Sequence, residues 1–294
     1  MDRERYRRLI AQEAQHWGSV QPDPQNPQIW QDERLFEIFF GNEYRYFVER
    51  IGAAGTNVLE LGCGEGHLAI ELARRGHRVT AIDLSPDRIK RANDLASLAV
   101  LDSSPTFKVG DLNTTSLPKK KFDCIVAHDA LHHLYNLDHV LDEAYQALKP
   151  AGNLIVIDYV GMAKRRKLAA ALLFAALPTY KPYRAKWQLR GRLGAFLASE
   201  SSKREALESG STTALHRDSP FEEISQRSIV EKIRDRFMIV DQFSFCPFWF
   251  YLAPKVRLPR SARYRSARLL KEMDDELLAL GVMGAYVFIE AQKM

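Results

Sequence analysis

Val58-Leu59-Glu60-Leu61-Gly62-Cys63-Gly64-Glu65-Gly66-His67 is the stretch on which the reading of this chain turns. An apolar, β-prone run enters it, glycines cross it at alternate positions, and a helical pattern from Leu68 to Arg75 leaves it. The spacing predicts a strand, a Gly-rich turn and a helix N-terminus. Such a junction can hold a ligand. Glycines let the backbone turn tightly with no Cβ in the way, and the first-turn amides lack an intrahelical partner.

Outward on the C-terminal side, Arg78 to Asp83 reads as a second strand. It ends in a carboxylate about 20 residues beyond the turn, where two hydrogen bonds can hold a ribose diol. The glycine spacing is G-x-G-x-G, with Glu60 inside the end of the first strand. With these residues the sequence resembles the class I S-adenosylmethionine-dependent methyltransferases, whose first motif has the form acid-x-G-x-G-x-G. The resemblance runs from Asn57 to Tyr159. It takes in Val109-Gly110-Asp111-Leu112, the run Phe122 to His128, and Leu148-Lys149-Pro150-Ala151-Gly152-Asn153-Leu154. It implies an α/β fold, a Rossmann-like doubly wound mostly parallel sheet with a closing antiparallel strand. It also implies S-adenosyl-L-methionine as cofactor and S-adenosyl-L-homocysteine as product.

Five strands are legible in that span: Asn57 to Leu61, Arg78 to Asp83, Pro105 to Val109, Phe122 to Ala127 and Asn153 to Tyr159. Right-handed crossovers between them would bring Gly62, Asp83, Asp111 and His128 to one carboxyl edge. There Glu60 can accept from the turn's amides or, through water, from the methionyl ammonium, while Gly62, Cys63, Gly64 and Gly66 shape the turn. Cys63 reads as a small side chain, since nothing beside it would stabilise a thiolate. Asp83 is the ribose ligand, with an N-cap for the helix opening at Ser85 as the alternative. Leu84 and Leu112 wall the adenine, and the resemblance puts Asp111 at the adenine amino group. Arg88 reads as a solvated charge.

In Ala127-His128-Asp129-Ala130-Leu131-His132-His133-Leu134, relatives carry a similar A-L-H-H-L stretch beside the sulfonium. The resemblance makes His128, His132 and His133 candidate bases for a hydroxyl nucleophile, because imidazole titrates at about 6.5. The competing reading is a set of hydrogen-bonded structural histidines at a helix start. Asp129 is an alternative base or a cap. His128 and His132 also have metal-pair spacing on a helix, but with no partner Glu between them no metal is expected.

The flanks frame this core. Residues 1–56 read as an N-terminal helical cap of two helices, Arg5 to Trp17 and Asp32 to Ile51. Its Trp17, Trp30 and Tyr44 either pack onto the sheet or touch substrate. Residues 57–160 form the cofactor-binding core, and 161–227 an inserted lid with the basic run Lys164 to Lys167, Tyr180 and Trp187 as further substrate contacts. Its apolar stretch Leu168 to Leu177 is too short to span a bilayer, so it fits a substrate lid or, alternatively, an anionic membrane surface. Residues 228–294 complete the sheet, with a β-prone run from Phe237 broken at Pro247 and a helix from Ser261 to Leu280 whose arginines suit a solvated face.

Composition sets the outer bounds. A chain of 294 residues, 46% hydrophobic, buries one large core with a modest appendage. Three scattered cysteines exclude a disulfide framework, and the charged N-terminus has no signal-peptide core, which together predict a cytoplasmic protein. The net charge of +5 favours an anionic partner only weakly. Nucleic acid is disfavoured, because His128-Asp129-Ala130-Leu131 stands where adenine-amino methyltransferases carry N-P-P-Y. The expected acceptor is a small molecule, methylated on oxygen: a natural product, a glycan or a lipid-linked intermediate. The alternative is a cofactor binder that does not methylate, regulatory or cyclase-like.

Overall fold

Side chains alternate across a strand, so one strand can feed two cores. Strand β1 (Asn57–Leu61) does this, sending Val58 to one side of the sheet and Leu59 and Leu61 to the other. The computed structural model describes residues 1–20, 23–187, 198–209 and 219–294, with the side chains of Trp187 and Arg260 outside the described set. The substrate contact expected of Trp187 therefore lies outside the described residues.

After β1 the chain alternates as its pattern predicts: α3 (His67–Arg74), β2 (Arg78–Asp83), α4 (Pro86–Leu98), β3 (Thr106–Val109), β4 (Phe122–His128), α5 (Leu137–Ala147) and β5 (Leu148–Tyr159). Helix α4 starts where Ser85 caps the Arg88 amide and Pro86 takes the first helical position. Two helices precede β1, α1 (Arg3–Ser19) and α2 (Glu33–Glu49), each with an aspartate N-cap, Asp2 and Asp32. After β5 come α6 (Lys164–Ala176), α7 (Tyr183–Trp187), α8 (Glu200–Ser209), α9 (Ile229–Arg234), β6 (Met238–Phe245), α10 (Arg260–Ala279) and β7 (Tyr286–Gln292).

The seven strands lie in the order β3-β2-β1-β4-β5-β7-β6. Strands β1 to β5 run parallel and β7 runs antiparallel to both β5 and β6. The order reverses between β1 and β4, and in a doubly wound sheet the crevice outside the strand ends at that point takes the ligand. One face of the sheet is covered by Phe39, Phe47, Leu68 and Leu72 from α2 and α3, the other by Val140, Leu141, Ile229 and Ile233 from α5 and α9. A third, smaller cluster sits apart. It joins Tyr6, Leu9 and Ile10 of α1 to Leu207 of α8 and to Phe221 and Ile224. Helix α1 thus packs on α8 and the loop before α9.

Two expectations need correction. Strand β5 starts at Leu148 rather than Asn153, because the chain pairs early with Phe122 and absorbs the extra residues in a bulge. His128 and His132 do not share a helix: His128 ends β4, Asp129 turns at φ 52°, and only Leu131–His133 coil, as one 3-10 turn. No helix among the described residues is long and apolar enough to cross a membrane.

Candidate active site

The Gly-rich turn bends because its residues can. Gly62, Gly64 and Gly66 all have positive φ, at 74°, 53° and 79°, a region that costs most other residues free energy. Space forbids side chains as well. A Cβ on Gly62 would come within 2.5 Å of the Ala130 Cβ, and one on Gly66 within 2.7 Å of the Phe107 ring. Cys63 is buried beside the turn with its thiol pushed up by burial and by the Glu60 and Asp83 charges, so it stays a neutral small side chain.

Asp83 locks this turn to the next strand. One carboxylate oxygen accepts from the Gly64 amide at 2.8 Å and the other from the Ser85 amide at 2.9 Å. A carboxylate offers about four acceptor positions, so two bonds leave capacity for a diol. Glu60 lies beneath the turn, and its Oε2 is buried without a hydrogen-bond partner. Burial, with the neighbouring Asp83 charge, pushes its carboxyl up to about 8. An orphaned buried acid facing a glycine cradle suits a cationic group of an incoming ligand. The residues present therefore fit S-adenosylmethionine.

Further along the edge, Asp111 accepts from the Asn113 amide at 3.0 Å through one oxygen and from the Tyr6 hydroxyl at 2.6 Å through the other. Leu112 is buried beside it and Leu84 half-buried after β2. Helix α1 therefore reaches across the edge. Trp17 lies 4.7 Å from the Arg88 guanidinium, whose Nε donates to the Trp17 carbonyl at 3.1 Å. Arg91 donates to the Gly18 carbonyl at 3.1 Å. Arg88 thus fastens α1 and is not the solvated charge its sequence position suggests.

The histidines fall into distinct settings. His132 is buried, and its Nδ1 sits 2.5 Å from Oδ1 of Asp158, which is 0% exposed. The other Asp158 oxygen accepts from the Ala130 and Leu131 amides at 3.1 and 2.6 Å. Burial opposes a charged imidazole, yet the Asp158 charge and hydrogen bond outweigh it and raise His132 to about 9. His133 turns the other way. Its ring meets Trp17 edge-on at 5.1 Å, and its Nδ1 is 3.4 Å from Glu13 and 3.6 Å from Glu222. His128 faces α2, with Tyr44 at 5.5 Å and Phe47 at 5.9 Å. Asp129 has a buried Oδ1 without a partner, and its carboxyl is raised by burial.

Of the expected substrate contacts, Trp17 and Tyr44 reach the edge, Tyr44 also donating to Glu71 at 3.0 Å. Trp30 does not: it is 57% exposed on the turn Ile29–Gln31. Tyr180 lies by α10, its amide bonded to the Lys255 carbonyl and its ring 5.9 Å from Arg263. Sequence reading missed Tyr6, Glu13, Asp158 and Glu222. Only Asp158 had a visible signal, a lone acid closing the apolar run Leu154 to Ile157.

Residues 53–199 match a family model described as a methyltransferase domain. Over 108 residues the chain is 35% identical to 27-O-demethylrifamycin SV methyltransferase of Amycolatopsis mediterranei, covering 36% of this chain and 40% of that one. Over 146 residues it is 31% identical to an uncharacterized methyltransferase of Mycobacterium tuberculosis, covering 49% and 72%. The match thus spans less than half of the rifamycin enzyme. Among solved structures, geranyl diphosphate C-methyltransferase from Streptomyces coelicolor superimposes with a TM-score of 0.53 at 16% identity, over 97% of this chain and 98% of that one. That likeness is one of fold.

Proposed function

Since the chain belongs to the class I S-adenosylmethionine-dependent methyltransferase family, we propose that it methylates an oxygen of a small-molecule acceptor, in the class of natural products, glycans or lipid-linked intermediates. The observation that carries this reading is the convergence, on one carboxyl edge, of the glycine turn braced by Asp83 with the buried His132–Asp158 pair. When bound, the cofactor supplies a methyl group already activated on a sulfonium.

The chain's own residues then have limited work to do. Glu60 offers a buried acceptor for the methionyl ammonium, Asp83 the ribose hydroxyls, Asp111 with Leu84 and Leu112 the adenine side. Methyl transfer needs the acceptor oxygen held in line and, for a hydroxyl, a place for its proton. Asp158 fixes the His132 ring through Nδ1, and because it also raises the imidazole to about 9, Nε2 takes that proton only in molecules that have already lost theirs, a fraction that grows as pH approaches 9. His128 and His133 line the same edge as positioning residues. Trp17 and Tyr44, from the cap at 1–56, shape the acceptor's entry together with the lid at 161–227. The acceptor's oxygen chemistry is argued from the rifamycin-directed relative, whose name refers to an O-demethylated substrate.

The test is transfer of an isotope-labelled methyl from S-adenosylmethionine to a panel of hydroxylated natural products, glycosides and isoprenoid alcohols. Label in a new ether of one class supports the reading. Tight cofactor binding with no transfer to any class would instead favour a binder that does not methylate.

A further inference from the structure

We propose that Arg34, Arg265 and Arg268, with Ser261 and Tyr264, form a site for a phosphate group where α10 meets the start of α2. The five residues line one open cavity of about 410 Å3. Ser261, Arg265 and Arg268 stand at i, i+4 and i+7 on α10 and so share one stripe of that helix. Arg34 comes from the first turn of α2, and its guanidinium is steadied 4.5 Å from the centre of the Tyr264 ring. Arg265 is held too. Its Nε donates to the Ser261 carbonyl at 3.2 Å, which leaves the two terminal nitrogens for a ligand.

The positive charge here is uncompensated. Among the described residues none of the three guanidiniums is in an ion pair; those of α10 are made by Arg263 with Asp32 and by Lys271 with Glu43 and Asp275. Asp32, at the head of α2, is already engaged. One oxygen accepts from the Leu35 amide at 3.1 Å, and the other lies 3.3 Å from Arg263 and accepts from the Tyr264 hydroxyl at 3.4 Å. The start of α10 adds to the field, because its N-cap is Pro259, with no side-chain cap, and no acid stands in its first turn. Unpaired amides and the positive end of the helix dipole favour an anion there. The acids of this helix begin only at Glu272, in its second half.

The donor set suits phosphate better than carboxylate. A carboxylate brings two oxygens and one charge, too little to engage three guanidiniums, whereas a phosphate ester brings three acceptor oxygens and about two negative charges. Arginine forks also match phosphate geometry. The site stands apart from the crevice: Arg34 precedes Tyr44 by about 15 Å of helix α2. Phosphate binding therefore does not rest on the methyl-transfer reading. The phosphate can belong to a soluble phosphorylated molecule or to an anionic lipid headgroup, since the chemistry of recognition is the same.

Two probes test the site on the full-length chain and separate these sources. Inorganic pyrophosphate is titrated by calorimetry at physiological ionic strength, and co-sedimentation is measured with vesicles of phosphatidylcholine alone or in equal mixture with phosphatidylglycerol. We expect one pyrophosphate per chain, and the double variant Arg265→Gln, Arg268→Gln should bind it at least about tenfold more weakly, with melting temperature and S-adenosylmethionine affinity kept. Arg74→Gln, an exposed arginine on α3, should change nothing. Binding to the mixed vesicles alone, competed by pyrophosphate and lost in the double variant, assigns the phosphate to a lipid headgroup. Pyrophosphate binding without vesicle binding assigns it to a soluble molecule. Binding of neither probe, affinity unchanged in the double variant, or an equal loss in Arg74→Gln would overturn the site.

Discussion

The crevice has two halves built on different principles. The half at β1, β2 and β3 is made by nearby chain: Glu60, the turn from Gly62 to Gly66 and Asp83 span 24 residues, and backbone amides make its contacts. The half at β4 and β5 is made by side chains from remote segments. Glu13 meets Ser219 and His132 meets Asp158, 206 and 26 residues apart. A contiguous turn fixes a common ligand, whereas an assembled wall can be rebuilt segment by segment. The difference separates a half that local sequence encodes from one that only the folded chain assembles.

The comparison breaks most sharply at His132. Its replacement by Ala should lower turnover by about 100- to 10,000-fold, as loss of a positioned base does, while cofactor affinity stays within a few fold. A large drop in cofactor affinity instead would mean that the halves are not separable.

A smaller effect is expected where α6 and α8 are fastened together. Glu223 accepts from Lys167 and Lys203, both at 2.9 Å, all three largely buried. Burial opposes its charge, but the two lysines hold its carboxyl down to about 2. The stabilisation is therefore present at neutral pH and lost as pH falls through about 2. Glu223→Ala leaves Lys203 buried without its carboxylate and should cost about 3–5 kcal/mol of stability in this region. Hydrogen exchange should show faster opening at α6 and α8 and an unchanged β1–β2 core. Equal loosening of both would refute the division.

The smallest effect sharpens the cofactor half. Because Glu60 is raised to about 8 in the fold, the folded chain holds a proton that the unfolded chain has released. Its contribution is greatest below the ordinary glutamate range and is lost as pH rises through about 8. Without cofactor, the wild type should lose melting temperature relative to Glu60→Gln between pH 5 and pH 8.5, by a few degrees. A flat difference across that range would remove Glu60 as a buried acid awaiting a cation.

Legibility followed the same division. Strands β1 and β2 begin and end where alternation and the glycine turn put them, because local chain decides them. Asp83 closes β2 where the sequence puts it, for the same reason. Tyr6, Glu13 and Glu222 were not: Tyr6 reads as an apolar packing position of the first helix and the two glutamates as solvated, until α1 folds over the edge. Arg88 failed likewise, its partner Trp17 being 71 residues away. Trp30 misled in the other direction, since an aromatic ring in a loop suggests contact, and here it faces water.

The central claim is that the glycine turn and Asp83 bind S-adenosylmethionine, and calorimetric titration tests it most directly. The wild type should bind S-adenosylmethionine and S-adenosylhomocysteine at one per chain, and Asp83→Ala should lose at least about 100-fold in affinity, two charge-assisted hydrogen bonds being worth roughly 3 kcal/mol or more, together with the stability that its bonds to the Gly64 and Ser85 amides supply. Binding of neither ligand by the wild type, or unchanged affinity in Asp83→Ala, would contradict the account.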